Sequence, residues 1–211
     1  MRRWRVGAGA AVIVMAVFVA FVALVAEERN VAFVNGEPIS RVEYDQYLSV
    51  LSADGARAVA PWQVVQSLVN QKLALREAER LGYSATDADI DQAVAGLTRE
   101  GVSVDMVSGV GGLDAFRERL RVRMLFERVK ETVTHDVRVT DNDIRRYVRE
   151  HAAMITNTEW EAVKAEVEPA VRRLLVDRVW SDWLAVQRSC ATVQILMPDV
   201  RLQAASPVTA C

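Results

Sequence analysis

The stretch Val-Ala-Phe-Val-Asn-Gly-Glu-Pro-Ile-Ser, from Val31 to Ser40, decides how the folded part of this 211-residue chain begins. Its first four residues are apolar and favour a β-strand, and Asn35-Gly36 is the strongest two-residue signal for a tight hairpin turn. The next three residues are long enough for a short return strand. Ser40 is followed three residues later by Glu43, which is the spacing of a capping box at a helix N-terminus. The stretch therefore predicts a small hairpin that leads directly into a helix.

Beyond the hairpin, apolar residues recur at helical spacing in a series of segments. In chain order, the predicted helices begin after Ser40, at Pro61, after Thr86, at Leu113, after Thr140 and at Glu159. Gly82 is the expected end of the second helix, because glycine accepts the left-handed conformation that closes a helix. A strand is predicted at Thr192–Leu196, and Val31–Val34 is its natural partner. This order predicts a mainly α fold with a small β element, made of the N-terminal hairpin and a C-terminal strand.

The last predicted helix, Glu159–Arg188, is the longest. A capping box of Thr158 and Glu161 is expected at its start. Pro169 lies inside it and is expected to kink the helix or to split it near Glu168, because proline removes a helical hydrogen bond. One face is predicted to be buried, comprising Trp160, Val163, Val167, Val171, Leu174, Leu175, Val179, Trp183 and Leu184.

Two helix starts share the pattern T-D-x-D-I, at Thr86–Ile90 and at Thr140–Ile144. We interpret both as N-terminal caps, in which a hydroxyl accepts a free amide hydrogen and the acids favour the positive end of the helix dipole. The acidic spacing also resembles the start of a calcium-binding EF-hand loop. The glycine at position six and the glutamate at position twelve of such a loop are missing, so caps are the favoured interpretation.

The N-terminus carries the signal of a membrane segment. Residues 1–5 contain three arginines, and residues 6–26 contain no charge. A helix of that length spans about one hydrocarbon core, and the arginines predict that the N-terminus stays in the cytoplasm. We therefore predict an uncleaved transmembrane signal anchor at residues 6–26, behind a cytoplasmic basic flank at residues 1–5. A cleaved signal peptide is the alternative, although Leu24 fits poorly at position −3 of a cleavage site after Ala26.

Composition narrows the class of protein further. The chain has 26 basic and 28 acidic residues, hence a net charge of −2, and without the three N-terminal arginines residues 27–211 carry 23 − 28 = −5. This balance argues against a nucleic-acid-binding protein, which would show a basic face. Two cysteines and two histidines are too few for a zinc ribbon or an iron–sulfur site. No cofactor and no metal are expected.

These elements resemble a known family. Val31–Ser40 looks like the V-N-G-x-x-I opening of the SurA/PrsA/PpiD-type extracytoplasmic chaperones, and Val69–Gly82 is similar to their long second helix. The T-D-x-D-I segments resemble the helix starts that follow. Glu159–Leu184 and the strand at Val193–Leu196 resemble the C-terminal helix and closing strand. The resemblance covers residues 30–197 and implies a SurA-like helical chaperone domain, followed by a loose C-terminal tail at residues 198–211.

Family members commonly carry a parvulin-type peptidyl-prolyl isomerase domain between the fifth helix and the C-terminal helix. Here only His151–Thr158 separates the two, which is too short for such a domain. His135 and His151 are isolated beside helix ends and are interpreted as solvated side chains. We therefore expect a protein without enzymatic activity and assign no catalytic residue.

The resemblance implies that the protein binds unfolded polypeptides through apolar grooves on its surface. The candidate peptide-binding residues are Met106, Val107, Val110, Trp160, Trp180 and Trp183. The first three lie in an apolar loop. The alternative for the three tryptophans is that they pack the core, although Trp180 falls off the predicted buried stripe and is expected to be partly exposed.

Cys190 and Cys211 could form a disulfide outside the cytoplasm, where such bonds persist. On the entropic account, the closed loop would add about 3 kcal/mol to stability. The alternatives are a free Cys211 or a bond between chains.

The sequence thus predicts an ATP-independent holdase, a chaperone that binds unfolded or nascent exported polypeptides without refolding them. It would be anchored in the cytoplasmic membrane by a single span, with its N-terminus in the cytoplasm and its C-terminal domain in the extracytoplasmic or periplasmic space. Two alternatives are an envelope adapter or scaffold protein and an isomerase with an unrecognised site. The sequence does not decide whether the protein forms a homodimer.

Overall fold

A computed structural model describes residues 30–53, 59–102, 112–155, 159–198 and 200 of the chain. The strands are β1 (Asn30–Val34), β2 (Glu37–Ser40) and β3 (Val193–Ile195), and the helices are α1 (Arg41–Ala53), α2 (Pro61–Arg80), α3 (Asp87–Arg99), α4 (Gly112–Thr134), α5 (Asp141–Glu150) and α6 (Trp160–Cys190), with a short 3₁₀ turn at Ala152–Met154. The described residues divide into two compact units. The first comprises residues 30–72 and 191–200, and the second comprises residues 73–190. The predicted mainly α architecture with a small sheet is confirmed.

The first unit contains a three-stranded antiparallel sheet in the order β2-β1-β3. Asn35 and Gly36 form the predicted turn, with φ values of 52° and 87°, because these two residue types tolerate the left-handed conformation that a tight hairpin requires. Strand β3 pairs with the other side of β1, as predicted. Thr192 secures this pairing, since its carbonyl accepts a hydrogen bond from the Asn35 amide (2.8 Å) and its amide donates to Asn35 Oδ1 (2.9 Å).

Helix α1 begins with the predicted capping box in the same unit. The Ser40 amide donates to Glu43 Oε2 at 2.7 Å, and the Glu43 amide donates to Ser40 Oγ at 3.1 Å. Lys72 Nζ lies 3.3 Å from the other carboxylate oxygen of Glu43. Partial burial acts to raise the pKa of Glu43, but the hydrogen bonds from Ser40 and the charge of Lys72 together lower that pKa below its ordinary value.

The lowered pKa of Glu43 predicts a contribution to stability that depends on pH. A carboxyl group whose pKa is lower in the folded than in the unfolded state binds fewer protons when folded, so it stabilises the fold above its ordinary value of 4.5. That contribution is lost as the pH falls through the folded-state pKa. We expect Glu43→Gln to lower the free energy of unfolding at pH 7, and the difference from wild type to shrink on acidification.

Chemical denaturation of both proteins from pH 7 down to pH 3 measures this difference. Ser40→Ala removes the hydroxyl that donates to Glu43 but keeps the backbone amide that also donates, so it should lose only part of the pH-dependent difference. A difference between Glu43→Gln and wild type that stays constant across the titration would contradict the assignment.

Helix α2 ends as expected at Gly82. Its φ of 72° is left-handed, and the Gly82 and Tyr83 amides donate to the carbonyls of Glu79 and Ala78 at 3.0 and 2.8 Å. These two bonds satisfy carbonyls that the helix itself leaves free. The Tyr83 hydroxyl is 2.8 Å from Thr132 Oγ1, which fixes the chain after the turn against α4.

Both T-D-x-D-I segments form reciprocal capping boxes. The Thr86 hydroxyl accepts from the Asp89 amide, and Asp89 accepts from the Thr86 amide at 2.8 Å. Thr140 and Asp143 repeat this arrangement at the start of α5. Hydrogen bonds from the threonines lower the pKa of Asp89 and of Asp143. The bond from the threonine hydroxyl has the largest effect, and the bond from the threonine amide has the next largest. The carboxylates are thus used as caps, and the predicted cap interpretation is confirmed.

Helix α6 runs without interruption from Trp160 to Cys190, so the predicted split near Glu168 is wrong. Proline removes one helical hydrogen bond, but Val167 and Val171 on either side of Pro169 are both buried. Packing of the two flanking turns keeps the helix continuous. Thr158, the predicted cap of this helix, lies outside the described residues.

The two ends of the chain are described only in part. The predicted transmembrane segment at residues 6–26 lies outside the described residues, and among the helices that are described none is long and apolar enough to cross a membrane. Val200, which the sequence analysis assigned to a loose tail, is 5% exposed and belongs to the buried residues of the first unit. Of the predicted tail at residues 198–211, residues 199 and 201–211 are outside the described part.

Candidate functional site

Within the second unit, helix α6 buries one side in its first half and a different side in its second half. In its first half, Val167 and Val171 form a buried cluster with Ile144 of α5. In its second half, Trp180 and Leu184 form another buried cluster, together with Ala74, Ala78 and Val129 of α2 and α4. Trp180 follows Val171 by nine residues, which is about two and a half helical turns, so the two side chains point to opposite sides. Helix α6 therefore changes its buried side between the two clusters.

A line of apolar side chains lies on α6 where its buried side changes from the first cluster to the second. Leu175, Val179 and Trp183 are spaced four residues apart, so their side chains follow one another along a single helix face. Leu175 packs against the first cluster and Trp183 against the second. Val179, between them, is 36% exposed. We call these three residues the outer apolar stripe; they leave apolar surface in contact with solvent between two well-packed cores.

The structure corrects the expectation for Trp180. Its side chain is only 7% exposed, so it lies in the core and not in an open groove. The ring of Phe126 meets it edge-on, with 5.1 Å between ring centroids, and the ring of Trp183 stacks on it at 4.8 Å. For Trp180, the alternative of core packing is therefore correct. Trp183, whose ring covers one face of the Trp180 ring, is itself half-buried.

The prediction of one buried face on α6 is wrong at two positions. Leu174 is 56% exposed and Val179 is 36% exposed, although the sequence analysis placed both on the core side. The error came from assuming one continuous buried face along the helix. The spacing of nine residues places Val171 and Trp180 on opposite sides of the helix, but the sequence does not show that both of them are buried.

Trp160, another candidate residue, lies at the beginning of α6. It is half-buried and packs against the first cluster, and the guanidinium of Arg145 lies over its ring at 5.1 Å from the centroid. Trp160 and Trp183 thus belong to different clusters. Met106, Val107 and Val110 lie outside the described residues, so their role in peptide binding stays a prediction.

Ion pairs connect α6 with its neighbours. Lys130 of α4 lies 3.1 Å from Asp177, and Lys164 lies 3.1 Å from Asp141 of α5. The hydrogen bond to Asp141, together with its negative charge, raises the pKa of Lys164. Exposed pairs of this kind contribute little to stability. Packing of the two clusters, and not these charges, sets the position of α6.

The two histidines contact only residues that are close to them in the sequence, as far as the described contacts show. His151 is the C-terminal cap of α5, and its ring stacks on Tyr147 with 4.1 Å between centroids. The Nδ1 atom of His135 donates to the Thr132 carbonyl at 3.2 Å, and its Nε2 atom lies 3.1 Å from Asp136. His151 is therefore half-buried rather than fully solvated as expected. Within the described ranges, no group of three or more His, Cys, Asp or Glu side chains could hold a metal ion. Cys211 lies outside the described residues, so its disulfide with Cys190 stays a prediction.

Comparison with known proteins finds chaperones. Residues 1–102 match the family model of the SurA-like N-terminal domain. Chaperone SurA of Alcanivorax borkumensis is 25% identical over 57% of this chain and 31% of its own length. Chaperone SurA of Pseudoalteromonas translucida is 35% identical over 42% of this chain and 20% of its length. Foldase protein PrsA of Caldanaerobacter subterraneus is 26% identical over 57% of this chain and 42% of its length.

The fold has a counterpart among solved structures. A chain from the work on the virulence factor PEB4 and the periplasmic protein Cj1289, two structurally related SurA-like chaperones of Campylobacter jejuni, is similar with a TM-score of 0.59. The identity is 13%, and the similarity covers 79% of this chain and 98% of that one. The aligned segments span less than half the length of the curated SurA and PrsA relatives. The first 102 residues thus match the model of a SurA-like N-terminal domain, and the chain is similar in sequence to SurA and PrsA chaperones.

Proposed function

We propose that this protein is an ATP-independent holdase that binds unfolded or nascent exported polypeptides through exposed apolar surface. The observation that carries the proposal is the outer apolar stripe of α6, in a chain with chaperone homologues. Val179 is 36% exposed between two packed clusters, and Leu175 and Trp183 extend the apolar surface on both sides. Such a surface can cover the apolar side chains of many different polypeptides.

The mechanism is reversible burial of apolar side chains. Each side chain of the unfolded polypeptide that becomes fully covered contributes about 1.5–3 kcal/mol. Hydrophobic contact has no strict direction, so selection among sequences is weak and exchange is fast. The rigid ring of Trp183, held by stacking on Trp180 at 4.8 Å, offers a large contact area at low entropic cost. The protein needs no catalytic residue for this activity, and we propose that it is not an enzyme.

The proposed location is the outer face of the cytoplasmic membrane. The uncharged segment at residues 6–26 would anchor the chain there, with the N-terminus in the cytoplasm. The similar solved chain comes from work on SurA-like chaperones that include a periplasmic protein, which supports this location. The anchor would hold the stripe near the place where exported chains emerge from the membrane.

Suppression of aggregation tests the proposed function. The full chain is reconstituted in lipid nanodiscs and mixed, without ATP, with two unrelated unfolding proteins such as heated citrate synthase and reduced lysozyme. We expect light scattering from both proteins to be suppressed at near-stoichiometric ratios. Empty nanodiscs are the control.

Other results would favour the alternatives. If neither protein is kept soluble, the holdase proposal is wrong, and an adapter with one fixed envelope partner becomes the better hypothesis. If proline-limited refolding is accelerated by catalytic amounts of the chain, the protein is an isomerase.

A further inference from the structure

The sheet of the first unit has two edges with different chemistry. Strand β2 forms one edge and carries Glu37 and Pro38, a charge and a residue without an amide hydrogen. Both features discourage pairing with another strand. Strand β3 forms the other edge, and the residues around it, Thr192-Val-Gln-Ile-Leu196, are uncharged and mostly apolar or β-branched. The β2 edge is thus protected against further pairing, whereas the β3 edge has no partner strand among the residues that the structure describes; we call it the open edge.

The register shows which groups β3 presents at its edge. Thr192 and Leu196 direct their backbone bonds toward β1, since the Asn35 amide donates to the Thr192 carbonyl (2.8 Å) and the Leu196 amide donates to the Val31 carbonyl (3.0 Å). Antiparallel strands alternate between residues that bond to the partner and residues that point away. The amides and carbonyls of Val193 and Ile195 therefore point away from β1, toward the open edge.

We propose that this edge binds an extended segment of an unfolded polypeptide, which adds to the sheet as a fourth strand beside β3. The inference rests on the proposed holdase function and names a second mode of contact for it. The four outward groups of Val193 and Ile195 would exchange hydrogen bonds with the backbone of the bound segment. Because every polypeptide carries the same backbone groups, this contact is independent of sequence, as a holdase requires.

The length of β3 argues for a transient peptide and against a second copy of the chain. The strand has three residues, so its edge is roughly 10 Å long. Two copies meeting edge to edge over that distance would bury far less surface than the approximately 1,200 Å² of a stable interface. A short edge suits weak, reversible binding of a flexible segment.

Backbone pairing can be separated from side-chain burial by a matched pair of peptides. One is an uncharged eight-residue peptide of Thr, Val and Ser; the other has the same sequence with N-methyl groups on four consecutive central amides, which cannot donate. We expect the full chain in nanodiscs to bind the methylated peptide at least tenfold more weakly. Equal affinity for the two peptides would overturn the proposal.

Hydrogen exchange locates the contact on the protein. Saturating unmethylated peptide should slow exchange of the Val193 and Ile195 amides at least tenfold. Val193→Pro, which removes an outward donor, should weaken peptide binding, whereas Val193→Ala, which retains that donor, should not.

The outcomes distinguish failure of this inference from failure of the proposed function. If aggregation of unfolded proteins is suppressed but the Val193 and Ile195 amides stay unprotected, the edge is not used and the holdase function stands. If aggregation is not suppressed at all, both proposals are wrong. A stable dimer that Val193→Pro dissociates would assign the edge to a second copy and overturn the inference.

Discussion

Replacement of Trp180 by alanine should lower the free energy of unfolding by about 3–5 kcal/mol. Trp180 is 7% exposed and contacts the core cluster of the second unit, which includes Ala78 and Val129. Removing the indole would leave a cavity that the small neighbours Ala74 and Ala78 cannot fill. It would also remove the edge-on contact with Phe126, at 5.1 Å between centroids, and expose one face of Trp183.

Urea denaturation followed by far-ultraviolet circular dichroism measures this loss, with Leu174→Ala as the matched control. Leu174 is on the same helix but is 56% exposed, so its truncation should cost no more than about 0.5 kcal/mol. Comparable stability of the two variants would show that the second cluster is not the core of its unit.

Trp180 also illustrates the part of the fold that could not be predicted from the sequence. The periodicity of apolar residues shows that a helix is amphipathic, but the side that becomes buried depends on which other helices pack there. Helix α6 contacts α5 in its first half and α4 in its second half. The apolar pattern of α6 does not show which neighbour packs on which half, so it could not reveal the change of side, and Val179 was wrongly placed in the core.

Local signals, in contrast, predicted the small elements well. The Asn35-Gly36 turn and the Thr86 and Thr140 caps depend on side chains and amides within three or four residues of one another, so the sequence contains all the participants. The pairing of β3 with β1 was also predicted, because both segments are short apolar runs at opposite ends of the domain. The hydrogen bonds between Asn35 and Thr192 that secure this pairing were not foreseen, since they join residues far apart in the chain.

Replacement of Val179 by aspartate should weaken the holdase activity about tenfold, measured as the concentration of the full chain that halves the aggregation of an unfolded protein. A bound apolar segment would cover the aspartate and remove water from its charge, and leaving such a charge without a partner costs at least 1–3 kcal/mol. A loss of 1.4 kcal/mol corresponds to a factor of ten in affinity. Because Val179 is already 36% exposed, the substitution should change the stability of the fold far less than Trp180→Ala does.

Val50→Asp is the matched control for this variant. Val50 lies on α1 in the first unit and is 55% exposed, so the same side chain is exchanged for the same charge on another exposed helix face. We expect Val50→Asp to stay within twofold of wild type, because the outer apolar stripe of α6 remains intact. The reverse result, with full activity for Val179→Asp and a loss for Val50→Asp, would move the binding surface from α6 to α1, since both variants place the same charge on an exposed helix position.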